Sequence, residues 1–223
     1  MRIRRKKHLD ERLSGVKDYV IVPDKSILNV KEAVKFKEYL DYSKLFGNDN
    51  PVNLEVGCGK GGFIINLAKK YPNENFLAVE LLENIIVMAA EHAKGENLKN
   101  LFFINSGAEY LPRYIKENSI SKIFLNFSPP FPQIGSEGRR LTCDRCIQNY
   151  KDFLTKDGFV FQKTDDKDFY DYSFGQFEKF NFDVKDVSNL IENGNAENIV
   201  TEYESKFRAL NMPIYCLYAK VSK

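Results

Sequence analysis

The chain has 223 residues, 43% of them hydrophobic and 29% charged, with a formal net charge of +2. A domain of that size buries roughly 70–75% of its unfolded surface, so its core needs neither disulfides nor a metal. No apolar run approaches the ~20 residues of a membrane helix, and the basic N-terminus leads into no apolar signal-peptide stretch, so composition speaks for a cytoplasmic rather than a secreted or membrane protein.

The first twelve residues carry six basic side chains (Arg2, Arg4, Arg5, Lys6, Lys7, Arg12) and two acidic ones (Asp10, Glu11). The rest of the chain carries 27 basic and 29 acidic residues. A basic arm on a slightly acidic body suits a polyanion, nucleic acid first, although a solvated tail has the same composition. After the arm a short helix is expected over Val30–Leu40, and residues 1–50 read as an extension to a single domain spanning 51–223. From Pro51 strands alternate with helices: Val52–Val56, then a helix over Phe63–Tyr71 stopped by Pro72, then Phe76–Glu80, then a helix over Asn84–Ala93. Leu101–Asn105 is strand-like, Ala108–Ile115 a short helix, and Lys122–Phe127 a strand entering a proline-rich loop.

The second half continues less strictly. Thr142–Leu154 reads as a helix with Thr142 as N-cap, Phe159–Lys163 as a central strand and Phe169–Phe177 as a helix. Phe182–Val187 and Ile214–Tyr218 close the series as strands that pair antiparallel at one edge. The alternation specifies an α/β open sheet, mostly parallel, with helices on both faces. Ligands of such sheets sit beyond the carboxyl ends of the strands. Of the four cysteines, Cys143 and Cys146 have zinc-ribbon spacing but no second pair, so no metal site is expected; on a helix the two thiols share a face.

Gly57-Cys58-Gly59-Lys60-Gly61 follows the first regular strand, and the glycines allow a tight turn and close backbone approach to a ligand. The spacing is neither the dinucleotide fingerprint nor the P-loop. A strand with Glu55 near its end, followed by G-x-G-x-G, resembles motif I of class I S-adenosylmethionine (SAM)-dependent methyltransferases. Glu80, at the end of the next strand, is placed to accept both hydroxyls of a ribose. A glycine-rich turn with two surface acids is the plainer alternative.

Over nearly its full length the chain resembles the bacterial tRNA (guanine-N7)-methyltransferase family, the TrmB family. The resemblance rests on Arg2–Arg5, Phe46–Pro51, Leu54–Gly61, Val79-Glu80-Leu81, Leu125–Ser128 and Pro130-x-Pro132. It continues through Arg139–Thr142, Lys163-Thr164-Asp165, Thr201–Phe207 and Pro213-Ile214-Tyr215. It implies the Rossmann-like class I methyltransferase fold and methyl transfer from SAM to N7 of guanine 46 in the tRNA variable loop, by a monomer or homodimer. It also implies cofactor contacts at Glu55, Gly57, Gly59, Gly61, Glu80, Gly107, Ala108 and Asn126. Asp165 and Glu204 become the catalytic carboxylates. Arg139, Arg140, Asp165, Thr201, Glu202, Tyr203 and Glu204 become the substrate-binding residues. Thr201 and Glu204 equally suit a helix N-cap with its partner three residues on.

Three departures from the family pattern are expected to matter. Its Asn-Phe-Ser-Asp-Pro-Trp-Pro is here Asn126-Phe127-Ser128-Pro129-Pro130-Phe131-Pro132, so an acid is replaced by Pro129, with Asp165, Asp166 or Glu204 to cover for it. The next four positions, usually basic, are Gln133-Ile134-Gly135-Ser136. The acid expected near the adenine aligns with Gly107, and Glu109 lies two residues on. Two alternative readings follow: a diverged SAM- or RNA-binding paralogue, and an amino-methyltransferase acting on adenine N6 or cytosine N4, whose S/D/N-P-P-Y/F motif Ser128–Phe131 resembles.

Overall fold

The computed structural model of the chain describes residues 6–23, 29–189 and 198–222. Arg2, Arg4 and Arg5 of the basic arm lie outside the described residues. The chain divides into two compact units, residues 1–114 and 115–223.

The first unit contains, in chain order, α1 (Leu9–Gly15), β1 (Val20–Ile21), α2 (Val30–Ala33), α3 (Tyr42–Phe46), β2 (Val52–Val56), α4 (Gly62–Lys70), β3 (Asn75–Val79), α5 (Glu83–Gly95), β4 (Leu101–Ile104) and a 3₁₀ segment at Ala108–Arg113. Its strands run in the order β1-β4-β3-β2, every neighbouring pair parallel. Every residue of β2 and β3 is buried, as expected of parallel strands covered on both sides. The α4 and α5 crossovers are what let sequential strands run parallel. Along α4, Phe63, Ile64, Ile65, Leu67 and Ala68 turn inward while Lys69 and Lys70 close its C-terminal turn, where cations suit the helix dipole.

The helix expected over Val30–Leu40 ends at Ala33. Its remainder is diverted because the Glu38 and Leu40 amides donate to the Arg113 and Tyr114 carbonyls, and Glu38 pairs with the buried Arg113 guanidinium at 2.7 Å. Two basic residues in the described part of the arm are also committed. Arg12 makes a two-pronged pair with Glu91 of α5 at 2.7 and 2.5 Å, and the Lys6 amide donates to Asn84. That pairing draws the Glu91 carboxyl below its ordinary range. Arg12 is therefore a strut between α1 and α5 rather than a free cation.

The second unit contains β5 (Ile120–Asn126), α6 (Asp144–Phe153), β6 (Leu154–Thr164), α7 (Lys167–Lys179), β7 (Phe182–Asp186), α8 (Glu202–Ala209) and β8 (Tyr215–Val221). β5 and β6 are parallel across α6, and β8 lies between β6 and β7, antiparallel to both. The antiparallel strand is thus second from the edge, with β7 outermost.

Thr142 is not the cap of α6. It is fully buried, its hydroxyl 2.8 Å from that of Ser173, and Cys143 takes the N-cap position. A hydroxyl with a buried partner on α7 leaves capping to the next residue. Thr201 is an N-cap, accepting from the Glu204 amide at 2.9 Å. Among the described residues no helix is long and apolar enough to cross a membrane.

Candidate active site

In the first unit the glycine loop grows directly from β2. Gly57, Gly59 and Gly61 all have positive φ, at 81°, 57° and 79°. The Gly57 and Cys58 amides both donate to the Val79 carbonyl, so the loop is hooked over the end of β3. The last two glycines differ in purpose. A Cβ on Gly61 would stand 2.9 Å from the Ala89 Cβ, so this position is also a helix-packing contact, whereas one on Gly59 would meet nothing within 4 Å. Gly61→Ala therefore combines left-handed backbone strain with a steric clash, and is expected to cost at least ~2 kcal/mol in a urea titration.

Glu80 bridges the loop and α5: its Oε2 accepts from the Gly59 amide at 3.2 Å and its Oε1 from the Leu82 amide at 2.9 Å. A carboxylate has about four acceptor sites, so two remain for a ligand. The backbone just beyond is fixed by Asn105, whose Nδ2 donates to the Glu80 and Leu81 carbonyls, each at 3.1 Å. Glu55 is buried inside β2. The field of this corner is negative: burial, then the charges of Glu55 and Glu80, push the Cys58 thiol well up. A group carrying positive charge and hydroxyls fits such a corner.

Gly107 precedes the 3₁₀ segment that Ala108 begins. A Cβ built on Gly107 would lie 2.6–2.8 Å from three carboxyl atoms of Glu109. Glu109 has thus folded back and fills the space that a side chain at position 107 would occupy.

In the second unit, Asn126 closes β5 and the next residues form a strained turn. Phe127 (φ 48°) and Phe131 (φ 43°) both adopt left-handed backbone, a cost that persists only where surroundings enforce it. The enforcing contacts are visible. The Phe127 amide donates to the Lys163 carbonyl, and its ring stacks on those of Tyr203 and Phe207 at 5.9 and 5.8 Å. At the other end, Arg140 donates from Nε to the Pro130 carbonyl (2.8 Å) and from Nη2 to that of Phe131 (3.2 Å). Its guanidinium lies over the Tyr172 ring, and that of Arg139 lies 4.3 Å from the Phe131 centroid. Arg140 is therefore a clamp on the turn; Arg139 is exposed above it. Between these anchors the Ser128 hydroxyl is buried with no hydrogen-bond partner among the described residues.

The three acids proposed to cover for Pro129 fall into different roles. Asp166 caps α7, accepting from the Phe169 amide at 2.8 Å. Glu204, expected as a carboxylate open to a base, is fully buried: Lys163 donates to its Oε2 at 2.8 Å, and Asn198 and Arg208 hold its Oε1 at 2.7 Å each. Burial alone would raise its pKa, but the bond and charge of Lys163, then Asn198 and Arg208, hold it below the ordinary range. Asp165 is half-buried and makes no side-chain hydrogen bond or ion pair among the described residues. Glu202 is exposed, Tyr203 is 57% exposed, and Thr201 is buried as the cap of α8.

Lys163 enters the family resemblance only within Lys163-Thr164-Asp165, with no role of its own, and the structure places it at the centre of this cluster. It is 1% exposed and its ammonium binds Asn198 Oδ1 (2.5 Å), the Ile199 carbonyl (3.1 Å) and Glu204. It therefore ties the end of β6, where Asp165 sits, to the segment that opens α8. Besides the motif, its signal in the sequence is a cation inside an apolar strand.

Comparison with known proteins follows the same lines. A family described as "Putative methyltransferase" matches residues 49–217. The tRNA (guanine-N(7)-)-methyltransferase of Oceanobacillus iheyensis is 39% identical over 184 residues, 82% of this chain and 86% of that protein. The protein of that name from Clostridioides difficile is 35% identical over 223 residues, 99% of each chain. Among solved structures, the 16S rRNA methyltransferase KamB superposes with a TM-score of 0.61 at 14% identity, covering 84% of this chain and 96% of that one. An antibiotic-related methyltransferase gives 0.58 at 16% identity, over 82% and 93%.

Proposed function

Because this chain belongs to the tRNA (guanine-N7)-methyltransferase family, with the Rossmann-like fold of class I methyltransferases, we propose that it methylates N7 of a guanine in tRNA, guanine 46 of the variable loop. Full-length similarity to proteins of that name carries the reading. The cofactor is SAM, which supplies a methyl group activated on a sulfonium. Residues 51–223 form the methyltransferase domain, with residues 1–50 as its extension. The protein acts in the cytoplasm as a monomer or homodimer.

The first unit supplies the cofactor residues other than Asn126. Glu80 accepts from ribose hydroxyls with its two remaining acceptor sites while its other two hold Gly59 and Leu82 in place. Glu55 adds negative charge for the methionine ammonium, and the open backbone at Gly59 lets the ligand lie close. Glu109 takes the place of the acid that Gly107 lacks.

The second unit supplies the nucleoside residues. Guanine N7 has a lone pair and no proton, so the reaction asks for alignment and desolvation rather than a base. Asp165 has a carboxylate uncommitted among the described residues, and we assign it to accept from guanine N1–H and N2–H, which orients N7. Glu204 works through Lys163 to position the Thr201–Tyr203 segment. Arg139 and Tyr203 present an exposed cation and an exposed ring to the nucleic acid.

The test uses unmodified tRNA transcripts and isotope-labelled SAM, followed by digestion and identification of the labelled nucleoside. Label in 7-methylguanosine is the expected result. Label on an exocyclic amino group would instead establish the amino-methyltransferase reading of Ser128–Phe131. No label with SAM binding intact would make the chain a binding paralogue. Asp165→Asn, which keeps shape but turns one acceptor into a donor, is expected to lower kcat/KM for tRNA by about 100-fold, as for a lost charge-assisted hydrogen bond with a mismatched donor left behind. Its SAM affinity should not change.

A further inference from the structure

The segment between the Arg140 clamp and the body of α6 contains two thiols that neither the cofactor corner nor the nucleoside residues use. Cys143 is the N-cap of α6, yet its side chain makes no capping hydrogen bond to the helix. Cys146 lies one turn on and Tyr150 another turn along, both on the buried face of the helix that Cys143 opens. Asp144, between the thiols in sequence, is turned away and neutralised: its oxygens accept from Gln176 at 2.7 Å and Lys179 at 2.6 Å. The Cys143 amide donates to the Arg140 carbonyl at 3.1 Å, so the thiol pair and the clamp share one turn.

We infer that Cys143 and Cys146 form a reversible dithiol–disulfide site for a small peroxide oxidant, and that closing it loosens the hold of Arg140 on the Pro130–Phe131 turn. The four cysteines of the chain are not alike. Burial pushes the thiols of Cys58 and Cys216 up, which keeps them protonated and inert. Cys143 goes the other way: the hydrogen bond from Cys146 outweighs burial and, with the amides of Cys146 and Arg145 and the Arg145 charge, draws it down to about 6. At 5% exposure Cys143 is closed to a bulky disulfide, so the oxidant must be small.

The reaction balances as two steps. The Cys143 thiolate attacks one peroxide oxygen, the O–O bond breaks, and sulfenic acid and hydroxide form. The Cys146 sulfur then attacks the sulfenic sulfur, an S–S bond forms, and water leaves with the Cys146 proton. The protein loses two electrons to the peroxide, and a reducing dithiol returns them. Closure redirects the Cys143 side chain and backbone, and the amide bonded to Arg140 moves with it.

The covalent step is independent of the tRNA reading, and so is the first set of measurements. Purified full-length protein is treated with hydrogen peroxide, quenched with catalase, and analysed by intact mass, peptide mapping and hydrogen exchange. The expected result is loss of two hydrogens, a Cys143–Cys146 cross-link and faster exchange across residues 129–141, all reversed by dithiothreitol. Cys146→Ser should stop at a sulfenic acid that dimedone traps, and Cys143→Ser should give no cross-link. Where the reduced protein methylates tRNA, the oxidised form should do so at least 5-fold more slowly. Absence of the cross-link, a bond to Cys58 or Cys216 instead, or a cross-linked protein with unaltered exchange at 129–141 would each overturn the proposal.

Discussion

Lys163→Met is expected to destabilise the protein by about 3–5 kcal/mol, because it takes from the buried Glu204 carboxylate the buried one of its two cations. Arg208 and Asn198 would still reach Oε1, but Oε2 and the Ile199 carbonyl would lose their donor. Equilibrium urea unfolding measures the effect. A loss below about 1 kcal/mol would mean that the pair is solvated and of little consequence. The double variant Lys163→Met/Glu204→Met separates stability from positioning. Apolar side chains of similar volume often replace a buried ion pair without loss, so the double variant should regain most of the stability. It should nevertheless stay poor in tRNA methylation, through raised KM for tRNA, because the 198–204 segment has lost its anchor to β6. Full recovery of activity would make the pair purely structural.

The same pair gives the stability a pH dependence whose sign is fixed. The folded Glu204 carboxyl titrates below its unfolded value. Its contribution is therefore complete above the unfolded carboxyl pKa and is lost as pH falls through the folded one. The wild type should lose stability in acid more steeply than the double Met variant.

Glu80→Ala is expected to weaken SAM binding by about 100-fold in calorimetry. Two charge-assisted hydrogen bonds to ribose hydroxyls, at roughly 1.5 kcal/mol each, account for that factor. The variant also strips the Gly59 and Leu82 amides of their acceptor, so the loop loses its brace as well as its ligand contact. Glu80→Gln keeps an acceptor for one of those amides and should fall between the two. Affinity within 3-fold of the wild type in Glu80→Ala would remove the residue from the cofactor site.

Much of the fold was legible because local and global signals agree in the first unit. Phe76–Val79 of β3 is an unbroken apolar run where both faces are buried, α4 stops just before Pro72, and the glycines fall where the backbone takes positive φ. The misread elements are those where a distant partner outweighs local preference. Lys37–Leu40 has helical composition, but the Glu38 and Leu40 amides are claimed by the distant Arg113 and Tyr114 carbonyls. Thr142 is a good cap by type, but a buried serine on α7 holds its hydroxyl.

The candidate site divides along the same line. Sequence by itself determined the α/β alternation, the glycine loop with Glu80 after it, the resemblance to guanine-N7 methyltransferases and the loss of an acid at Pro129. Those depend on residue type and spacing, which a chain carries openly. Only the tertiary structure decided what each acid does: Asp166 caps a helix, Glu204 is sealed against Lys163, Glu109 fills the place beside Gly107, and Asp165 remains uncommitted among the described residues. The reason is physical. A carboxylate has one chemistry and several uses, and which one it takes depends on the donors that folding brings within three ångströms and on how much water is left around it.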